Sequence, residues 1–247
     1  MRVAHFASAL TTFAVLAGCA ITAPSTDELA RADIVLLGEQ HDDAAHQRQH
    51  RDIVQALADR DRLAALALEM AEQGHSTAGL PRNADEGTVR AALQWNEQAW
   101  PWEPYAPAVM AAVAAGVPVL GANLPRERMR AAMSEEVLDL ALDQESLKAQ
   151  REAIRTGHCD LLPPQQLAPM ARVQIARDRA MAQTLVQAYA PGRVVLLLAG
   201  AGHVSPKLGV PRHLPAGLAV KPVVLASGEK NAAPDYCAQL REQMQRR

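Results

Sequence analysis

Aromatic residues make up only 3% of the sequence, and both phenylalanines, Phe6 and Phe13, lie near its start. The chain beyond them has no phenylalanine, so its core has to be built from Leu, Val, Ala and Met. An excess of one charge is also missing: 25 Lys and Arg stand against 27 Asp and Glu, a formal net charge of -2. That balance offers no electrostatic footprint for nucleic acid, which is excluded as a partner. Internal repeats and low-complexity tracts are absent. The apolar run from Phe6 to Leu16 is well short of the roughly 20 residues that a membrane-spanning helix needs.

What is present begins with a short export pattern. Arg2 supplies an early positive charge, Phe6 to Leu16 an apolar stretch, and Leu16-Ala17-Gly18-Cys19 an exit through small residues. These are the marks of a signal peptide, expected over 1–18. The exit resembles the bacterial lipobox, in which the cysteine is diacylated and becomes the new N-terminus. Cys19 is therefore the expected lipid anchor, 19–30 the anchor and tether, and 31–247 a single domain. Ala20 stands where an Asp would retain such a lipoprotein at the inner membrane. The resemblance thus implies the periplasmic face of the bacterial outer membrane. Cys159 and Cys237 remain, free to pair in an oxidising compartment if their distance allows, which sequence leaves open.

The pattern of the rest predicts an α/β fold, a mainly parallel sheet with flanking helices and a helical insertion. Ile34 to Leu37 reads as a buried strand, Ala44 to Asp59 as a helix, and Leu63 to Leu68 as a second strand ending at Glu69. Gly74 to Gly87 reads as a loop, Glu103 to Ala115 as a helix, and Val117 to Leu120 as a strand running into Asn123. Helices are expected from Arg126 to Ala190, broken at Gly157 and Pro163-Pro164. Val194 to Leu198 is a clear late strand, Leu218 to Leu225 a last one, and Asp235 to Arg247 a terminal helix. In such sheets ligands gather outside the carboxyl ends of the strands. Glu39 and His41, Glu69, Asn123 and His203 follow four successive strands, so one rim should carry all of them.

Other polar residues invite two readings. Trp95, Trp100, Trp102 and Tyr105 concentrate most of the remaining rings in one segment, which suits either a large planar ligand or a core beneath the helical insertion. His46 and His50 are four apart on a helix, compatible with metal binding, but their polar neighbours favour a solvated face. His158 is either a pocket residue or the end of a helix stopped at Gly157. Gln174, Asp178, Met181 and Leu185 share a helical stripe with Arg177 beside it. Polar groups on such a stripe need internal partners, so Arg177 and Asp178 should brace the strand-end acids and histidines.

Several pieces recur together, in order. They are Leu37-Gly38-Glu39-Gln40-His41-Asp42, Ala67-Leu68-Glu69-Met70, Trp102-Glu103-Pro104-Tyr105, Gly116-Val117-Pro118 with Asn123-Leu124-Pro125-Arg126, Gly157-His158-Cys159, Arg177-Asp178 and Gly200-Ala201-Gly202-His203-Val204. The sequence resembles the ChaN-like haem-binding lipoproteins of the Tiki superfamily over about Asp33 to Leu225. The resemblance implies haem and iron uptake, with haem held between two subunits of a homodimer and a tyrosine on iron. Tyr105 is the expected ligand by local pattern, in the segment that carries Trp102. A phenolate is a hard anion suited to ferric iron. Arg126 and Arg128 are candidate partners for the haem propionates, and His158, Arg177 and Asp178 form a supporting shell.

A rival reading uses Glu39, His41, Glu69 and His203 as the catalytic groups of a hydrolase or peptidase, with or without a divalent metal. An imidazole oriented by a carboxylate can act as a general base or bind a metal. The spacing Glu39-x-His41 is not the helical zinc-protease signature.

Overall fold

The computed structural model describes residues 25–226 and 236–245. The signal segment 1–18 and Cys19 lie outside the described residues.

Five strands form one sheet: β1 (Ile34–Glu39), β2 (Leu63–Glu72), β3 (Val119–Asn123), β4 (Val194–Gly200) and β5 (Val220–Val224). Their order is β3-β2-β4-β1-β5, and each neighbouring pair runs parallel. The central strands are apolar on both faces because helices cover both. Val35, Leu37, Leu66, Leu68, Leu196 and Leu198 face one layer, which includes Val54 and Leu57 of α2 (Ala44–Ala58) and Val109 of α4 (Ala106–Ala114). Ile34, Leu36, Ala65, Ala67, Val195 and Leu197 face the other, where α7 (Pro164–Ala188) supplies Met181 and Leu185. The expected insertion separates β3 from β4. It comprises α5 (Arg126–Ser134), a 3-10 turn (Glu136–Ala141), α6 (Gln144–Gly157) and α7, with a small core of its own around Leu138, Leu142 and Ile175.

Four expectations need correction. The domain begins before residue 31: Ser25 and Glu28 form a capping box at α1 (Thr26–Leu29), whose Leu29 is fully buried in the core. β2 does not stop at Glu69 but continues to Glu72, because Met70 and Ala71 are buried apolar residues like those before them. A short helix, α3 (Glu86–Ala92), follows the predicted loop, capped by Asp85. Helix α4 starts at Ala106, later than expected, since Trp102 to Tyr105 form the turn that enters it. Past Glu69 the β2–β3 register shifts, and a Cβ on Gly121 would collide with the Glu72 carbonyl. Only glycine permits that approach. The terminal helix is α8 (Tyr236–Gln245). It is joined to the end of α6 by a Cys159–Cys237 disulfide, which answers the pairing question. No described helix is long and apolar enough to cross a membrane.

Candidate functional site

The polar residues expected at the strand ends do converge. Glu39 closes β1, Asn123 closes β3, and Gly200 closes β4 just before His203. Glu69 lies within β2, where the neighbouring β4 ends and its carboxylate reaches the Gly200 N–H at 2.7 Å. Gly200 is needed for space as well: a Cβ there would stand 2.9 Å from His41 Nε2.

Glu69 is the hub. The Arg177 guanidinium donates to it at 2.5 Å, and His203 Nε2 lies 3.5 Å away. The other His203 nitrogen is 2.6 Å from Asp178. Arg177 also donates to Asn123, whose amide in turn donates to the Glu69 carbonyl. Arg177 and Asp178 therefore brace the acids and histidines, as the helical stripe predicts. Burial opposes charge on both Glu69 and His203, yet each overcomes it. The positive charges of His203, Arg177 and His41 hold the Glu69 carboxyl far below the usual range. The carboxylates of Glu69 and Asp178 push the His203 imidazole up to about 9.

A second cluster surrounds Glu39. His41 Nδ1 is 2.7 Å from its carboxylate, and the Tyr105 hydroxyl donates to the same oxygen at 2.7 Å. His50 approaches the other oxygen at 3.4 Å. Burial lowers the tendency of His41 to protonate, but the bond to Glu39 and the charges of Glu69 and Glu39 leave its pKa raised. His50, deeper inside, is pushed down to about 4 by burial. The solvated face expected for His46 and His50 is overturned, since each is 1% exposed. Their signal was the stripe His46, His50, Val54, Leu57, which is the buried face of α2. His46 accepts from the Gln40 backbone N–H at 3.0 Å, holding the loop that carries His41.

Tyr105 is where expectation and structure part. It is 2% exposed, and burial together with the Glu39 charge pushes its phenol well above the ordinary range. As folded, it presents no free phenol to a ligand. Trp102 is likewise 2% exposed, packed on Trp95 and donating to Glu86 at 2.7 Å. Trp95 and Trp100 are half-buried, and Trp100 meets the His41 ring edge-on at 4.7 Å. The aromatic cluster is thus mostly core, with one ring reserved for the rim.

The His41–Trp100 contact divides two cavities that share Glu69. One, of about 600 Å³, is lined by Trp100, Met70, Leu124, Met129, Arg126 and His75 among others. The other, of about 760 Å³, is lined by His41, His203, Arg177, His158, Leu208 and Tyr236 among others. Arg126 and His158 therefore do face cavities, His158 with its ring N–H donated to the Ile154 carbonyl at 2.8 Å. Arg128 lines neither. Among the described residues, no three of His, Cys, Asp and Glu are arranged to hold a metal ion.

A parallel sheet between helical layers, with acids and histidines gathered at its strand ends beside two cavities, defines an α/β domain with a polar strand-end rim. The chain belongs to the family described as haem-binding uptake, Tiki superfamily, ChaN, whose pattern matches residues 25–214. Among solved structures it is similar to ChaN of Campylobacter jejuni, described as showing cofacial haem binding. The two are 27% identical, with a TM-score of 0.70 over 83% of this chain and 86% of that one. The type III effector HopBA1 is 16% identical over 81% of this chain and 78% of that one; its TM-score of 0.41 is too low to carry an argument. No curated protein matches the sequence.

Proposed function

We propose that the protein binds haem at the strand-end rim and serves haem or iron uptake, as a homodimer anchored through lipid on Cys19 at the periplasmic face of the outer membrane. Family membership supports the ligand, as does the 27% identity to a protein described as binding haem. The observation that carries it to this rim is the pair of cavities flanking His41 and Trp100.

The residues there fit the group. Trp100, Met70, Leu124 and Met129 offer apolar surface to a flat ring, and Arg126 offers a cation to a carboxylate. Bound haem would supply a ferric iron able to accept a donor atom from the protein. His41 lines the second cavity, with its Nδ1 bonded to Glu39. For a tyrosine on iron the choice changes: of the three tyrosines, Tyr236 lines a rim cavity and Tyr105 lines neither.

Haemin titration tests the reading. Wild type should show a shifted Soret band, and Trp100→Ala should weaken binding by about tenfold, equivalent to about 1.4 kcal/mol of lost contact. Tyr105→Phe should leave the bound spectrum unchanged. If wild type gives no Soret change, haem binding is wrong. For the anchor, radiolabelled fatty acid should enter the wild-type protein and not Cys19→Ala; equal labelling of both would remove it.

A second reading is favoured by one arrangement, the imidazole of His41 oriented by Glu39 at the edge of a cavity. This is the geometry of a general base, with Arg177 and cationic His203 near enough to stabilise developing negative charge. The two readings part on one measurement: ester or peptide hydrolysis by purified protein that disappears in His41→Ala belongs to the enzyme alone.

A further inference from the structure

The Cys159–Cys237 disulfide joins positions 78 apart in sequence, with Cα atoms 5.6 Å apart, within the span such bonds bridge. The residue before each cysteine lines the same cavity. His158 caps α6, Tyr236 opens α8, and both face the space that holds His41 and His203.

One side of this wall is built firmly. His158 is tied to Ile154, and the next two residues, Cys159 and Asp160, take left-handed backbone with φ of 57° and 60°. That conformation turns the chain sharply at the end of α6, and Arg155 pairs with Asp160 across the turn. The other side has a different character. Tyr236 is 58% exposed, so its ring is available to a ligand and is not spent on the core. No described residue of α8 joins the three hydrophobic clusters that hold the domain together. The covalent link to α6 falls at the residue next to Tyr236 and ties the start of α8 to this wall.

We infer that Tyr236 is a ligand-contacting residue of the His41 cavity and that the Cys159–Cys237 bond positions it there. An aromatic ring held at that edge suits a large planar ligand, by stacking or edge contact. Which ligand it meets rests on the haem reading above; the placement of Tyr236 against the cavity does not. Binding is then tied to the oxidised state of a cysteine pair remote from the sheet. In the reduced protein the rim cluster stays intact, but the wall at Tyr236 loses its covalent tie to α6.

Two proteins test this, a paired Cys159→Ser, Cys237→Ser variant and Tyr236→Ala with the disulfide intact. The ligand-free readout is the rate of His41 modification by diethyl pyrocarbonate, followed by peptide mass spectrometry. It should rise about threefold or more in both variants as the wall opens locally. Haemin affinity should fall about tenfold in both, with the melting temperature of Tyr236→Ala unchanged because only an exposed ring is lost. His41 modification at the wild-type rate in both variants, or wild-type haemin affinity in Tyr236→Ala, overturns the inference. Should wild type fail to bind haemin, the haem reading falls, while the His41 rates still decide the position of Tyr236.

Discussion

Arg177→Ala is expected to lower the free energy of unfolding by about 3–5 kcal/mol, the usual cost of stripping one partner from a buried ion pair. Its guanidinium bonds Glu69 at 2.5 Å and Asn123 at 2.9 Å, tying α7 to two strands at once. Without it, Glu69 keeps a buried carboxylate beside His203 but loses its closest cation. Asn123 then loses the acceptor role that orients its amide toward the Glu69 carbonyl. Urea unfolding followed by circular dichroism measures the effect, and Arg177→Lys should fall between, retaining the charge without the fork. A loss below about 1 kcal/mol in the alanine variant would place this pair with weak surface bridges and undo its structural role.

The second large effect is a dependence on pH. His203 is held as a cation by Glu69 and Asp178, its pKa raised to about 9 from an ordinary 6.5. A raised pKa contributes stability that is fully present below the unfolded value and lost as pH climbs through the folded one. Stability should therefore decline between pH 6.5 and 9, by on the order of 3 kcal/mol if the pair acts alone. Acid has its own limb. His50 is buried neutral with its pKa lowered to about 4, so the unfolded chain takes up protons first as pH falls from 6.5 toward 4. Melting curves from pH 4 to pH 10 should show a maximum near neutrality. His203→Gln should flatten the alkaline limb and spare the acid one; an alkaline slope unchanged by that substitution rules out the assignment.

Much of the rim is legible in the sequence, for a simple reason. Strands covered on both faces are apolar throughout, so the first polar residue at the end of each marks the place where the apolar run stops. Glu39, Asn123 and His203 were readable in this way. So were Arg177 and Asp178, because charged residues on an otherwise apolar helical stripe have to find partners inside. His46 and His50 were missed since their immediate neighbours are polar; only the longer stripe through Val54 and Leu57 shows that they turn inward. The aromatic segment could not be resolved by composition. Trp100 and Trp102 are two residues apart, yet one borders a cavity and the other is core. That difference is made by the turns at 96–100 and 102–105, which no periodicity describes. The burial of Tyr105 is hidden from the sequence for the same reason: its bond to Glu39, 66 positions away, is a property of the fold.

The start of the folded domain has one more consequence. Helix α1 lies at the amino ends of the strands, where Arg62, just before β2, donates to the Ala30 carbonyl and Asp33 leads into β1. The rim of Glu39, His41 and His203 is at the opposite pole of the sheet. The few residues between Cys19 and Ser25 reach about 20 Å at full extension, too little to carry the domain far from a bilayer. A lipid on Cys19 would thus seat the molecule on its base with the mouth turned away from the membrane that holds it. Cargo and any second copy would then be met from the aqueous side.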